Sequence, residues 1–148
     1  MIPYGRQSIS EDDISAVVEV LRGDWLTTGP AVAEFEAALS EHTGHAECVS
    51  VTSGTAALHT AYAAAGIGPG DEVITPALTF VATQSAAVAL GAKILFADVQ
   101  ADTGNIDPTA AESLLSEKTK AIVAVDYAGH AADLDELRSV AQRHGLLL

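Results

Sequence analysis

Thr52-Ser53-Gly54-Thr55-Ala56-Ala57-Leu58 joins a strand pattern to a helix pattern through a small glycine turn, the unit from which an α/β fold is built. It follows a short apolar strand candidate, Cys48 to Val51, and opens an alanine-rich helix candidate that runs to about Ala65. A small, glycine-bearing turn from strand to helix leaves backbone N–H groups unpaired at the helix start. The helix dipole adds partial positive charge there, so such a turn suits a phosphate. The same residues also make an ordinary βα turn that binds nothing, and the seven residues alone do not separate the two readings.

Working outward, the chain alternates helix and strand without repeats or low-complexity tracts. Ser10 reads as an N-cap with Asp13 three residues on, before an apolar face of Ile14, Val17, Val18 and Leu21 that ends at Gly23. Asp24 to Pro30 reads as a loop, and a second amphipathic helix passes through Val32, Phe35 and Leu39 to Gly44. Beyond the central turn, Gly66, Gly68, Pro69 and Gly70 make a tight connection. Glu72 to Thr75 is then a strand ended by Pro76, Phe80 to Leu90 a helix, and Ile94 to Ala97 a strand. Asp107-Pro108 reads as N-cap and first helical residue. The apolar run Ala121 to Val125 is a buried strand. Asp133 and Glu136 resemble a capping box for a helix through Leu137, Val140 and Ala141, closed by Gly145. Leu146-Leu147-Leu148 begins another strand.

Strands separated by helices of this kind predict an α/β fold, a mostly parallel sheet with helices on both faces. Ligands in such sheets gather at the carboxyl ends of the strands. Thr52 to Thr55, Pro76 to Phe80, Ala97 to Asp98 and Asp126 to His130 all fall at such ends in this reading.

Composition narrows the function. The 148 residues suit one domain, and 49% hydrophobic content is ample for a core. Against 20 Asp and Glu stand 7 Lys and Arg, a formal net charge of −13, which excludes the clustered basic surface that nucleic acid or an anionic membrane requires. The single cysteine, Cys48, has no internal partner, and its apolar neighbours predict a buried thiol in a strand. Met1 to Gly5 does not open a signal peptide, and no apolar stretch is long enough to span a membrane, so a cytoplasmic protein is expected.

Several segments occur in a characteristic order. Tyr4 precedes Asp24-Trp25-Leu26-Thr27-Thr28-Gly29-Pro30, which precedes Ser53-Gly54-Thr55-Ala56-Ala57-Leu58 and Gly68-Pro69-Gly70-Asp71-Glu72-Val73-Ile74. Thr79-Phe80-Val81-Ala82-Thr83, Asn105-Ile106-Asp107-Pro108 and Thr119-Lys120-Ala121-Ile122-Val123 follow. In this order the chain resembles the amino-terminal part of the DegT/StrS family of pyridoxal-phosphate-dependent sugar aminotransferases. Within that family, Asp126-Tyr127-Ala128-Gly129 and the Trp25 loop are similar to the branch that makes UDP-4-amino-4,6-dideoxy-N-acetyl-β-L-altrosamine.

The resemblance implies an incomplete large domain of the fold type I architecture, with residues 1–30 as an amino-terminal helix and substrate loop and 31–148 as a partial cofactor-binding domain. It implies that Ser53, Gly54 and Thr55 hold the phosphate of pyridoxal 5′-phosphate and that Phe80 stacks on its ring. Read without it, Phe80 is a core residue of its helix. Tyr4, Asp24, Trp25, Leu26 and Thr27 match positions near a nucleotide-sugar substrate, or else form a solvated loop. The implied reaction moves an amino group from glutamate to a 4-keto-6-deoxy nucleotide sugar, in a homodimer whose sites use both subunits.

The family's catalytic lysine, and the Asp that pairs with the pyridine nitrogen, match no residue here. Lys93 precedes a strand on the far side from the expected site, and Lys118 and Lys120 flank a surface turn, so no catalytic residue and no metal ligand is assigned. The strand begun at Leu146 reads as truncated, and the chain alone is not expected to catalyse transamination. A sugar dehydratase of the same family, with histidine in place of that lysine, is a neighbouring reading. A non-catalytic phosphate-binding module or a dimerisation fragment are others.

Overall fold

A computed structural model of the protein describes residues 5–44 and 47–148. The chain divides into two compact units, Met1–Ser50 and Val51–Leu148.

In the first unit, α1 spans Glu11–Arg22 and α2 spans Pro30–Thr43. Ser10 caps α1 as the sequence predicts: Asp13 donates its amide to the Ser10 hydroxyl at 3.2 Å, and Ser10 donates its amide to Asp13 at 2.7 Å. Those two bonds satisfy orphan donors reciprocally, and the acidic first turn complements the dipole. Pro30 starts α2 where its missing N–H costs nothing, and Gly44 closes it at φ +69°. The apolar face predicted for α1 is present yet exposed, with Ile14, Val17 and Leu21 all in contact with solvent.

Cys48 to Val51 does not form the predicted strand. A strand requires a neighbour for its N–H and C=O groups, and among the described residues this segment pairs with none. It is tied instead to α2, since Ser50 donates its amide and its hydroxyl to Glu36 at 2.7 and 2.8 Å. Cys48 is accordingly half-buried rather than enclosed in a sheet.

The second unit is a three-layer sandwich. Its strands are β1 Glu72–Pro76, β2 Lys93–Ala97 and β3 Thr119–Ile122, all parallel in the order β2-β1-β3. The helices are α3 Gly54–Ala64, α4 Ala82–Ala89, α5 Pro108–Ser113 and α6 Leu134–His144. Chain direction sets the faces. From β1 the chain moves through α4 to one side, then back through α5 across β1 to the other. Right-handed crossovers therefore require α4 and α5 on opposite faces.

The core divides accordingly. Val73 and Ala121 pack under α3 and α4 with Tyr62 and Ala86. Ile74 and Ile122, one residue along, pack under α5 and α6 with Leu137 and Val140. This alternation is the two-residue period of a strand covered on both faces, and β1 is buried at every position, its polar Glu72 and Thr75 included. Leu147 adds one parallel bridge to Ala121, the start of strand pairing predicted for Leu146 to Leu148.

Candidate functional site

The loop after β1 leads to one face of the sheet, while the loops after both neighbouring strands lead to the other. In open α/β sheets ligands bind where adjacent loops diverge in this way, which here is the carboxyl end of the central strand. Pro76 to Val81, Asp98 and Asp126 to His130 stand at that end.

Phe80 lies in the β1 loop, ahead of α4 rather than inside it, and is 74% exposed. It is not a core residue. Its carbonyl accepts the Thr83 amide at 3.0 Å, and Thr79 and Thr83 share a hydroxyl–hydroxyl bond of 2.9 Å. The buried Tyr62 of α3 donates its phenol to the Thr83 carbonyl at 2.8 Å, anchoring the opening of α4 to α3. Burial raises the Tyr62 phenol above its ordinary pKa, so it remains a donor.

Ser53 is the N-cap of α3, and its hydroxyl accepts the Ala56 amide at 3.1 Å. The Ala57 amide reaches the Ser53 carbonyl at 3.0 Å. The amides of Gly54 and Thr55 precede the first intrahelical bond and have no acceptor within the helix. Open space surrounds them: a Cβ built on Gly54 meets nothing within 4 Å. A groove of about 420 Å³ runs from this turn between the two helices, lined by Ser53, Thr55 and His59 of α3 and by Ser85 and Ala89 of α4. The turn predicted from sequence is thus preserved as a helix start, although no strand precedes it.

Asp24, Trp25, Leu26 and Thr27 form an exposed loop of the first unit, with Trp25 and Leu26 about two-thirds exposed. A Cβ on Gly29 would meet the Trp25 Cβ at 2.8 Å, so the loop turns back closely on itself. Tyr4 lies outside the described residues.

The lysines stand at the opposite end of the sheet. Lys93, first residue of β2, pairs with Glu72, first residue of β1, at 3.0 Å. Lys120 donates to the Gly66 carbonyl and pairs with Asp71 at 3.3 Å. Lys118 lines a hollow with Glu72 and Ser116, also at the amino ends. Among the described residues no group of acidic, histidine or cysteine side chains is placed to hold a metal ion.

One element of the carboxyl-end geometry was hidden in sequence. Asn105, 2% exposed, donates its amide to the carbonyls of His130 and Ala131, both at 3.0 Å, and accepts the Tyr127 amide at 2.9 Å. Its sequence signal is a Gly-Asn pair directly before the buried Ile106, which reads locally as no more than a turn.

Comparison with known proteins agrees with this architecture. The sequence model of the DegT/DnrJ/EryC1/StrS aminotransferase family matches residues 7–148, and the chain belongs to that family. Over 143 residues it is 47% identical to a UDP-4-amino-4-deoxy-L-arabinose–oxoglutarate aminotransferase of Shewanella sediminis, covering 97% of this chain and 37% of that protein. A Streptococcus pneumoniae protein solved in its pyridoxal-phosphate form superposes with a TM-score of 0.91 at 39% identity, covering 99% of this chain and 38% of that one. The Helicobacter pylori aminotransferase PseC, involved in the biosynthesis of pseudaminic acid, superposes with a TM-score of 0.90 at 35% identity, covering 97% and 39%. The chain thus spans a little over a third of the length of these relatives. Its parallel three-stranded sheet between two helical layers is a partial fold type I domain.

Proposed function

We propose that this chain is the phosphate-gripping, ring-covering portion of a pyridoxal-phosphate-dependent aminotransferase acting on a keto nucleotide sugar, with glutamate as amino donor. The observation that carries the reading is the pairing of two exposed features in one unit. One is a helix start with free amides and a capping hydroxyl; the other is an aromatic ring left out of the core at the carboxyl end of the central strand.

The residues fit the group. Ser53 keeps the helix start formed, Gly54 leaves room for an anion beside the Thr55 amide, and the Thr55 hydroxyl borders the same groove. Phe80 offers a free face for offset stacking on a pyridine and shields it from water. When bound, the cofactor supplies an aldehyde that carries nitrogen and a ring that accepts electrons. None of Lys93, Lys118 and Lys120 shares this end of the sheet, so the chain's own part is to bind, orient and exclude water.

The substrate side of the reading rests on the relatives, whose names point to nucleotide-linked and pseudaminic-acid sugars. The 4-keto-6-deoxy substrate of the altrosamine branch is the finer form of the proposal, with Tyr4, Asp24, Trp25, Leu26 and Thr27 as the substrate-binding residues. A homodimer is part of the same reading, as is a cytoplasmic location.

Pyridoxamine 5′-phosphate tests the cofactor half, because it lacks the aldehyde that would react with surface lysines. Its addition to the isotope-labelled chain is expected to shift the Gly54 and Thr55 amide resonances saturably. Unmoved resonances at ligand on the order of 1 mM, the weak end of specific binding, would sink the reading.

A further inference from the structure

We propose that Asn105 is a positioning residue of this site, holding Tyr127 so that its ring lines the crevice into which a phosphorylated pyridine enters. The inference rests on the cofactor reading above and adds to it a wall contributed by the loop after β3.

Three connections meet at one point. Gly104, between β2 and α5, has φ +72°, and a Cβ on it would lie 2.9 Å from Cδ1 and 3.3 Å from Cε1 of Tyr127. The same Cβ would lie 3.5 Å from the Leu78 side chain in the loop after β1. The Tyr127 ring therefore packs flush on the Gly104 backbone beside Leu78, bridging the loops of β1 and β3. Its remaining surface is open, 41% exposed, at the end of the sheet where Phe80 also stands free.

The loop would not take this form unaided. Ala128 sits at φ +54°, a left-handed conformation that side chains with a Cβ disfavour, and Gly129 follows at φ +82°. Such a conformation persists only where its surroundings over-determine it. Asn105 does so with three hydrogen bonds to this segment: Oδ1 takes the amide before the strained residue, and Nδ2 meets two carbonyls after it. Asp126 closes the other side by accepting the Ala132 amide at 2.9 Å. A buried amide side chain bonded to three residues of one loop, Tyr127, His130 and Ala131, fixes that loop's register and hence the direction of the ring it bears.

A purely structural knot would bury Tyr127 and need no opening at the strand ends. Here the fixed ring is left partly bare, bordering the diverging loops where α/β sheets take ligands.

The test follows the Tyr127 ring resonances and the Gly54 and Thr55 amides together as pyridoxamine 5′-phosphate is added to the chain. The ring resonances are expected to shift with the same saturation as the turn. Asn105→Ala is expected to keep the turn response and abolish that of the ring. A turn that responds beside a silent ring overturns the inference and leaves the cofactor reading standing, as does a ring response unchanged in Asn105→Ala. Silence at both turn and ring defeats the cofactor reading and this inference with it. Should Asn105→Ala not fold, Gly104→Ala decides: its Cβ would lie 2.9 Å from the Tyr127 ring and displaces it, and an unaltered ring response overturns the inference.

Discussion

The Ser116 hydroxyl donates to the Glu72 carboxylate at 2.6 Å, joining the turn before β3 to the first residue of the central strand. Lys93 donates to the other oxygen at 3.0 Å, so a carboxylate that is nearly enclosed has both oxygens engaged. The hydroxyl bond, then the lysine, hold its pKa below the ordinary glutamate range. A depressed folded pKa stabilises the fold above the unfolded value, about pH 4.3, and that contribution is lost as pH falls through the folded value. Denaturant midpoints measured from pH 6 down should therefore fall less steeply for Glu72→Gln than for the native chain below about pH 4.3. Equal slopes would show that Glu72 is not a source of acid sensitivity.

Phe80→Ala separates stability from binding. The ring is mostly solvated, so its removal should change stability by no more than about 0.5 kcal/mol. Loss of stacking on a bound pyridine should weaken pyridoxamine 5′-phosphate binding about fivefold, equivalent to roughly 1 kcal/mol. A thermal scan and a fluorescence titration of the same sample check both; a large fall in melting temperature would mean that the ring supports the core after all.

Ser53 has two roles that two substitutions divide. Ser53→Ala removes the cap on α3 and should cost about 1 kcal/mol. Ser53→Asp caps equally well yet places a negative charge where a phosphate would sit. It should match the native chain in denaturation while losing pyridoxamine 5′-phosphate binding. Retained binding in Ser53→Asp would argue that the anion lies elsewhere.

Thr75 is buried in β1, and its hydroxyl finds no partner in the described structure. A buried, unpaired hydroxyl costs free energy, and Val has the same β-branched outline. Thr75→Val should stabilise the chain by about 1 kcal/mol, a rise in melting temperature of roughly 2–4 °C for a chain of this size. A fall would show that the hydroxyl is bonded, for instance to an internal water.

Local chemistry explains what was readable in advance. The Ser10–Asp13 box, the Asp107-Pro108 start and the Gly145 stop are decided within a few residues, and each forms where the sequence places it. Cys48 to Val51 failed for the opposite reason: a strand exists only by virtue of a neighbour, and apolar composition does not supply one. The strand expected at Ala121 to Val125 forms instead at Thr119–Ile122, because β3 extends only as far as its pairing with β1. At Asp133 only half of the expected capping box forms: Asp133 accepts the Glu136 amide at 3.4 Å. The helix start at Ser53 to Thr55 was legible because a cap is a local event. Phe80 could be placed near a strand end, but nothing in its neighbours told whether the ring turned inward or out. Asn105 was beyond reach, since its partners lie 22 to 26 residues away and carry no shared pattern.

The separation of the lysines from the Phe80 ring along the sheet axis has a practical consequence. Reagents that attach the lysines to a resin, a dye or a biosensor surface would grasp the sheet by its amino edge. The exposed ring of Phe80, at the carboxyl end of the central strand, would then face the bulk medium.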